Sequence, residues 1–471
     1  MIYEPDHRRG AWRPSRTLPA ALTMLLLSLA LAAPSARAAA AGPGHAARRA
    51  AGASAYPAGA TRPAFVARAS EFADGARAAH SASSSGGATA PASSSAPSSA
   101  PAPGTAGKPS KSKKPKKPVL HGNPARALAA FEAMQKNYYI EGSGLYLGEP
   151  FSYLWPFSQA LAATVSVAYI PHLGVSLARE LDARLTGLNS YLDTDNSGAS
   201  EGVYTSTLAA FDGTVAPPAG PGGPKYYDDN DWVGIELMRL YELTHKSALL
   251  GSVEGIMAFE MAGWQEAPGE ACEGGIPFSN ALENNQRNTV TTAPAAELAL
   301  QLYRATHTAV YLQFAVKAYE WVRVCLTEPN GMYADHIGRK GAVEPALWSY
   351  NQGSMIGAGT LLYQATGDSA YLWQARQTAK AALAYFDNER LGSENPFFVS
   401  VYFRNLMYLD SVTHDPPGQS IAQDYVNYAW LHQRLSDNVF VAGSPASAQL
   451  LYQAAIVQIY ALLSIPASDY F

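Results

Sequence analysis

Tyr226-Tyr227-Asp228-Asp229-Asn230-Asp231-Trp232-Val233-Gly234 is where a loop rich in Gly and Pro (Pro217 to Pro224) turns into a helix. Downstream, Trp232, Ile235, Leu237, Met238, Leu240, Tyr241 and Leu243 recur near helical spacing. Asp228 and Asp229 therefore stand at a helix start. One Asp suffices to cap a helix. Three acids within four residues, boxed by aromatics, exceed that need. Adjacent carboxylates repel, which raises the proton affinity of one while the other stays ionised. Such a pair suits glycosidic bond hydrolysis. The competing reading is a capping Asp with solvated neighbours.

Working outward, residues beyond 119 show helical patterns only, joined by loops rich in Gly, Pro and aromatics. The segments fall at about 123–137, 156–169, 173–192, 228–244, 247–263, 289–306, 308–326, 349–366, 368–387, 396–412, 419–435 and 446–464. Loops after the fourth, sixth and eighth segments are very short: Thr244-His245-Lys246, Thr306-His307 and Thr366-Gly367. Loops before the same segments are long. Short loops gather at one end and long loops at the other, the layout of an all-α (α/α)6 barrel with the even helices inside. Small residues suit inner helices, and Ala293, Ala295, Ala296, Gly353, Gly357, Ala358 and Gly359 lie there.

That layout puts the start of every even helix on the long-loop face. Trp155, Asn288, Trp348, Tyr350, Asn351 and Gln352 join the paired acids there. Tyr226, Tyr227, Trp155 and Trp348 could stack on sugar faces or pack between helices. Asn288, Asn351 and Gln352 could bind sugar hydroxyls or cap helices. Asp335 and His336 fall on the same face, and Asp231 is either a first-turn dipole partner or a supporting acid. Cys272 and Cys325 also reach this face. A Cys272–Cys325 disulfide is expected, with two free thiols as the alternative.

The amino-terminal quarter reads differently. Arg8, Arg9, Arg13 and Arg16 precede a short apolar run, Leu22 to Ala33, and Ala36-Arg37-Ala38 supplies a cleavage signal. Residues 1–38 read as a signal peptide, with an uncleaved anchor as the alternative. Residues 39–118, rich in Ala, Ser, Pro and Gly, read as a disordered linker with a Lys-rich end. Residues 119–471 form the expected catalytic domain, secreted or held at the cell surface, with no stable membrane insertion after cleavage. Of the 34 basic and 38 acidic residues, 16 and 4 precede residue 119, which leaves 18 against 34 and a net charge of about −16. That balance argues against a nucleic-acid partner and suits a monomer acting on a neutral polymer. No His/Cys cluster has metal-ligand spacing and no phosphate loop or dinucleotide fingerprint appears, so neither metal nor cofactor is expected.

Tyr226 to Trp232 resembles the signature of glycoside hydrolase family 76, the α-1,6-mannanases. Gly274-Gly275-Ile276, then Asn288-Thr289 and the Ala-Pro-Ala-Ala helix start, are similar to that family, as are Tyr350-Asn351-Gln352-Gly353 and Gln453-Ala454-Ala455. The resemblance implies an (α/α)6 barrel and a secreted, retaining endo-hydrolase of an α-mannan-like polysaccharide. It maps the catalytic pair onto Asp228 as nucleophile and Asp229 as general acid/base. Val233, Pro277-Phe278 and Leu154 to Gln159 depart from the family pattern, which bears on the substrate more than on the chemistry. A cell-wall transglycosidase using the same pair and a non-catalytic carbohydrate-binding surface protein are the alternatives.

Overall fold

The computed structural model describes residues 120–194, 208–266, 268–281, 284, 286–442 and 449–471. The expected signal peptide and the whole of the expected linker, residues 39–118, lie outside them. Among the described residues the main helices are α1 Gly122–Tyr138, α2 Leu154–Ala168, α3 Ala178–Leu188, α4 Tyr227–Thr244, α5 Ser247–Gly263, α6 Thr289–Thr306, α7 Ala309–Cys325, α8 Ser349–Thr366 and α9 Ser369–Tyr385. They continue with the short α10 Asn388–Ser393, then α11 Pro396–Thr413, α12 Pro417–His432 and α13 Leu450–Leu462. Helices α2, α4, α6, α8, α11 and α13 pack in that order into a closed ring, α13 returning to α2. The others wrap it from outside. This is the (α/α)6 barrel expected from the loop lengths.

Burial separates the two layers. Every residue of α8 from Ser349 to Leu362 is buried, as a helix enclosed on all sides must be. On outer α9 only Ala375, Thr378, Ala379 and Ala382 are buried, a single stripe at helical spacing. Small residues let the inner helices touch. A Cβ added to Gly353 would lie 2.7 Å from the Tyr402 Cα on α11. Gly353→Ala should therefore cost about 3 kcal/mol, because two backbones must separate; urea unfolding at an unchanged m-value checks this.

Four inner helices end alike. His245, His307 and His414 close α4, α6 and α11 in the left-handed conformation, and Gly367 closes α8. The Thr before each returns its hydroxyl to the carbonyl four residues back. This stop lets the chain reverse within two or three residues.

Two expectations shift. The third helix, expected over 173–192, runs only over Ala178–Leu188, because His172 and Gly174 take positive φ in a turn before it. Helix α10 was not expected; Asp387 caps it by accepting from the Arg390 N–H. Among the described residues, short strands lie on the long-loop face: β1 Leu192–Asp193 pairs with β2 Ala210–Phe211, and β3 Gln286–Asn288, β4 His336–Gly338 and β5 Val343–Glu344 form a small antiparallel sheet. No helix among the described residues is long and apolar enough to cross a membrane.

Candidate active site

The start of α4 is braced before any chemistry is considered. Lys225, fully buried, pairs with Asp193 at 3.1 Å and Asp212 at 3.5 Å. Its backbone N–H donates to Asn280, whose own N–H returns to the Lys225 carbonyl. Asn230 accepts from the Phe211 N–H and donates to the Phe211 and Tyr226 carbonyls, tying β2 to the first helical turn. Lys225 and Asn230 escaped the sequence reading, since a lone Lys and an Asn carry no spacing signal.

Asp228 and Asp229 follow in that turn, with Asp229 only 6% exposed. Burial pushes the Asp228 carboxyl up to about 7, against the pull of the Asp228 and Asp229 backbone N–H groups and with a further push from Asp335. Burial raises Asp229 well above the usual carboxylate range, and the charge on Asp228 adds to it. Asp228 sits where the N–H groups of a helix start favour an anion, and the charge on Asp228 favours the protonated form of Asp229.

A polar wall lies on one side. The Thr289 N–H and hydroxyl hold the Asp335 and Ala334 carbonyls at 2.9 and 2.6 Å, so the α6 start fixes this loop. The Asp335 carboxyl meets His336 Nδ1 at 2.8 Å and accepts from Asn351 Nδ2 at 3.3 Å. Asp335 and Asp228 both act on buried Tyr350, whose hydroxyl burial raises well above its usual range. Oδ1 of Asn288 and Asn351 are buried acceptors without a partner. Such atoms suit the hydroxyl donors of a ligand.

Aromatic rings cluster where the starts of α2, α8 and α11 meet. Trp155 stacks on Phe398 at 6.2 Å and meets Phe397 edge-on at 5.4 Å. Trp348 and Tyr350 lie 5.7 and 4.1 Å from Phe398. Trp155, Trp348 and Phe398 remain half-buried, as sugar-stacking rings would. Phe397 and Phe398 were missed because they begin a helix behind Asn395-Pro396, where core packing is the ordinary reading. Tyr226, edge-on to Phe278 at 5.3 Å, stays half-buried at the loop end.

Two expected site residues are engaged by the protein itself. Tyr227 is fully buried, stacked on Phe259 of α5 at 4.4 Å, because the helical turn points it away from Asp228. Gln352 exchanges both hydrogen bonds of its amide with the Tyr333 backbone and also donates to the Trp348 carbonyl. It braces a loop: both amide N–H donors are used, and Oε1 keeps one lone pair.

Cys272 and Cys325 are joined in a disulfide, Cα atoms 6.0 Å apart. Among the described residues no group of three or more His, Cys, Asp or Glu could hold a metal ion.

Comparison with known proteins bears on the fold and the family. The chain is 29% identical over 133 residues to the mannan endo-1,6-alpha-mannosidase DCW1 of Candida glabrata, a match over 26% of this chain and 29% of that protein. The protein of the same name from Saccharomyces cerevisiae is 26% identical over 129 residues, 25% of this chain and 28% of its own length. The match thus spans less than a third of either relative. Among solved structures, the family 76 mannosidase Bt3792 of Bacteroides thetaiotaomicron VPI-5482 has the same fold, with a TM-score of 0.63, 19% identity and coverage of 73% of this chain and 98% of that one. So does the α-1,6-mannanase GH76A of Salegentibacter sp. HEL1_6, solved with α-1,6-mannotriose as a variant inactivated by replacing two consecutive aspartates with Asn. Its TM-score is 0.58 at 19% identity, over 73% of this chain and 99% of that one. The sequence profile of glycosyl hydrolase family 76 matches residues 126–407, well over half of the sequence, and the chain belongs to that family.

Proposed function

We propose that this chain is a retaining glycoside hydrolase that cleaves α-mannosidic linkages, α-1,6 foremost, in a mannan-like polysaccharide. One observation carries the reading: two adjacent acids at a helix start, Asp229 buried and Asp228 half-buried, both held above the usual carboxylate range, on a face that also carries unpartnered acceptors and half-buried rings. Asp228, the weaker base, attacks the anomeric carbon as a carboxylate. Asp229 gives its proton to the departing glycosidic oxygen, and a mannosyl ester forms on Asp228. Asp229, now anionic, takes a proton from water, and the hydroxide attacks the same carbon, freeing Asp228 with net retention. Asn288, Asn351 and Asp335 supply acceptors and polar contacts to hydroxyls. Trp155, Trp348 and Phe398 face the apolar C–H surface of the sugar. Mannanases among the relatives, one of them inactivated at two consecutive aspartates, support the substrate class and the pair. Export through residues 1–38 fits a polymer met outside the cell, and amino-terminal sequencing of the released protein tests it.

The primary test is incubation with α-1,6-mannan, following reducing ends and product anomers by NMR. Release of oligosaccharides with retained configuration is expected. Products longer than the substrate point to transglycosylation, and no turnover of any α-mannan sinks the substrate assignment. The pH profile follows from the two acids. The nucleophile must lose its proton, so kcat/KM rises through about pH 7, where Asp228 titrates. The acid must keep its proton, and with Asp229 raised further the fall comes at higher pH. An optimum below pH 5 would contradict this assignment.

A further inference from the structure

Asp231 lies one helical turn below Asp228. Helical side chains lean toward the amino-terminus, so its carboxyl is directed at the Asp228 turn. Asp231 is fully buried, as is Glu260 on the adjoining α5. All four oxygens of these carboxyls lack a hydrogen-bond partner. The interior cations nearest along α4 and α11, Arg239 and Arg404, are held by Glu236. Among the described residues, the other cations beside α4 are engaged elsewhere: Arg304 of α6 with Glu242, and Lys225 with Asp193 and Asp212. Asp228 lies on α4 itself, Glu260 on α5 and Glu297 on α6, while α2 carries no charged residue. An unpaired carboxylate in such a place is too costly to keep, whereas a neutral acid is tolerated. A neutral acid also carries an O–H, which a carboxylate lacks.

We propose that Asp231 and Glu260 are a proton-loaded carboxyl pair, and that Asp231 donates its O–H to Asp228, positioning the nucleophile as the single anion at the head of α4. The proposal rests on the reading of Asp228 given above. Burial and the neighbouring acids hold both groups well above the usual carboxylate range, in keeping with it. Asp231 is a positioning residue: it acts on the sugar only through Asp228.

The test pairs an activity arm with one that needs no substrate. Asp231→Asn keeps a donor and removes the titration; Asp231→Ala removes both. In the activity arm, Asp231→Asn should leave the acid limb of kcat/KM in place. Asp231→Ala should move it to higher pH by about one unit, a roughly tenfold loss on that limb. In the stability arm, a carboxyl whose proton affinity is raised on folding makes the protein lose stability as pH rises from its unfolded value, about 4, toward its folded value. Asp231→Asn and Glu260→Gln should flatten that decline and raise Tm at pH 7. An acid limb unmoved in Asp231→Ala overturns the donor role. A pH slope of Tm unchanged in both amide variants overturns the proton-loaded pair. If no glycan is cleaved, the proposed activity fails, yet carbon-13 NMR of the Asp228 carboxyl still reads the same shift in Asp231→Ala.

Discussion

Asp229→Ala is expected to lower kcat/KM on α-1,6-mannan by about 10³-fold while leaving an aryl α-mannoside with a good leaving group nearly as reactive in the first step. A general acid is worth roughly 10² to 10⁴ when the leaving oxygen is a poor one. An activated phenolate leaves without that proton, so only the second, base-assisted step slows. Azide needs no general base, and should restore turnover of the aryl substrate in Asp229→Ala, giving a mannosyl azide of retained configuration. Asp228→Ala should behave differently. It removes the atom that forms the ester, so the loss is on the order of 10⁴-fold or more on either substrate. Folding is not the cause in either case. Both carboxyls are raised by burial, so at pH 7 the native state holds protons that the unfolded chain has released. Removing either acid should hold or raise Tm. Rescue of Asp228→Ala instead of Asp229→Ala as the retaining variant would reverse the two roles.

How far the sequence carries such a site depends on what each residue answers to. The paired acids were legible because two charges at a helix start violate the ordinary pattern of a cap. The ring was legible because loop length is a property of the chain, and the Thr-His stops after α4 and α6 mark where it must turn. Tyr227 and Tyr226 could not be told apart, since neighbours on a helix start differ by a rotation of about 100° that only tertiary packing assigns. Packing assigned Tyr227 to Phe259. Gln352 looked like a sugar ligand for the same reason that it makes a good loop brace: its amide pairs equally well with a peptide or a hydroxyl. Phe398 and the Lys225 ion cluster depend on chain segments far apart in sequence, and no local pattern announces them. Glu260 is subtler still. It interrupts an otherwise apolar face of α5, which reads as a surface acid until α4 is seen against it.

The wall that carries Asn288 and Asp335 has its own weak point, and it is a residue with no direct part in the chemistry. Arg287 is fully buried and donates to the carbonyls of Ala271, Cys272, Gly274 and Gly338, with Glu270 at 3.5 Å. Its planar fork joins the loop before β3 to the end of β4, which no other side chain geometry reproduces. Arg287→Ala strips the donor from the Ala271 and Gly274 carbonyls, while Trp321 Nε1 still reaches Cys272 and the Gly341 N–H still reaches Gly338; it should destabilise the protein by about 3 kcal/mol. Arg287→Lys should recover only a small part of that. The Cys272–Cys325 disulfide ties the same loop to the end of α7, closing a separation of 53 residues, worth about 4 kcal/mol by chain entropy. Arginine and disulfide hold one segment, so their losses should not add independently. In wild type, reduction should lower Tm while the guanidinium keeps the loop seated. In Arg287→Ala, reduction should release the loop, and with it the β3–β4 ladder that positions Asn288 beside His336. The kinetic sign is then a KM that rises steeply on reduction in the variant and only slightly in wild type. Equal KM changes in the two proteins would mean that the wall is held by the strand ladder alone.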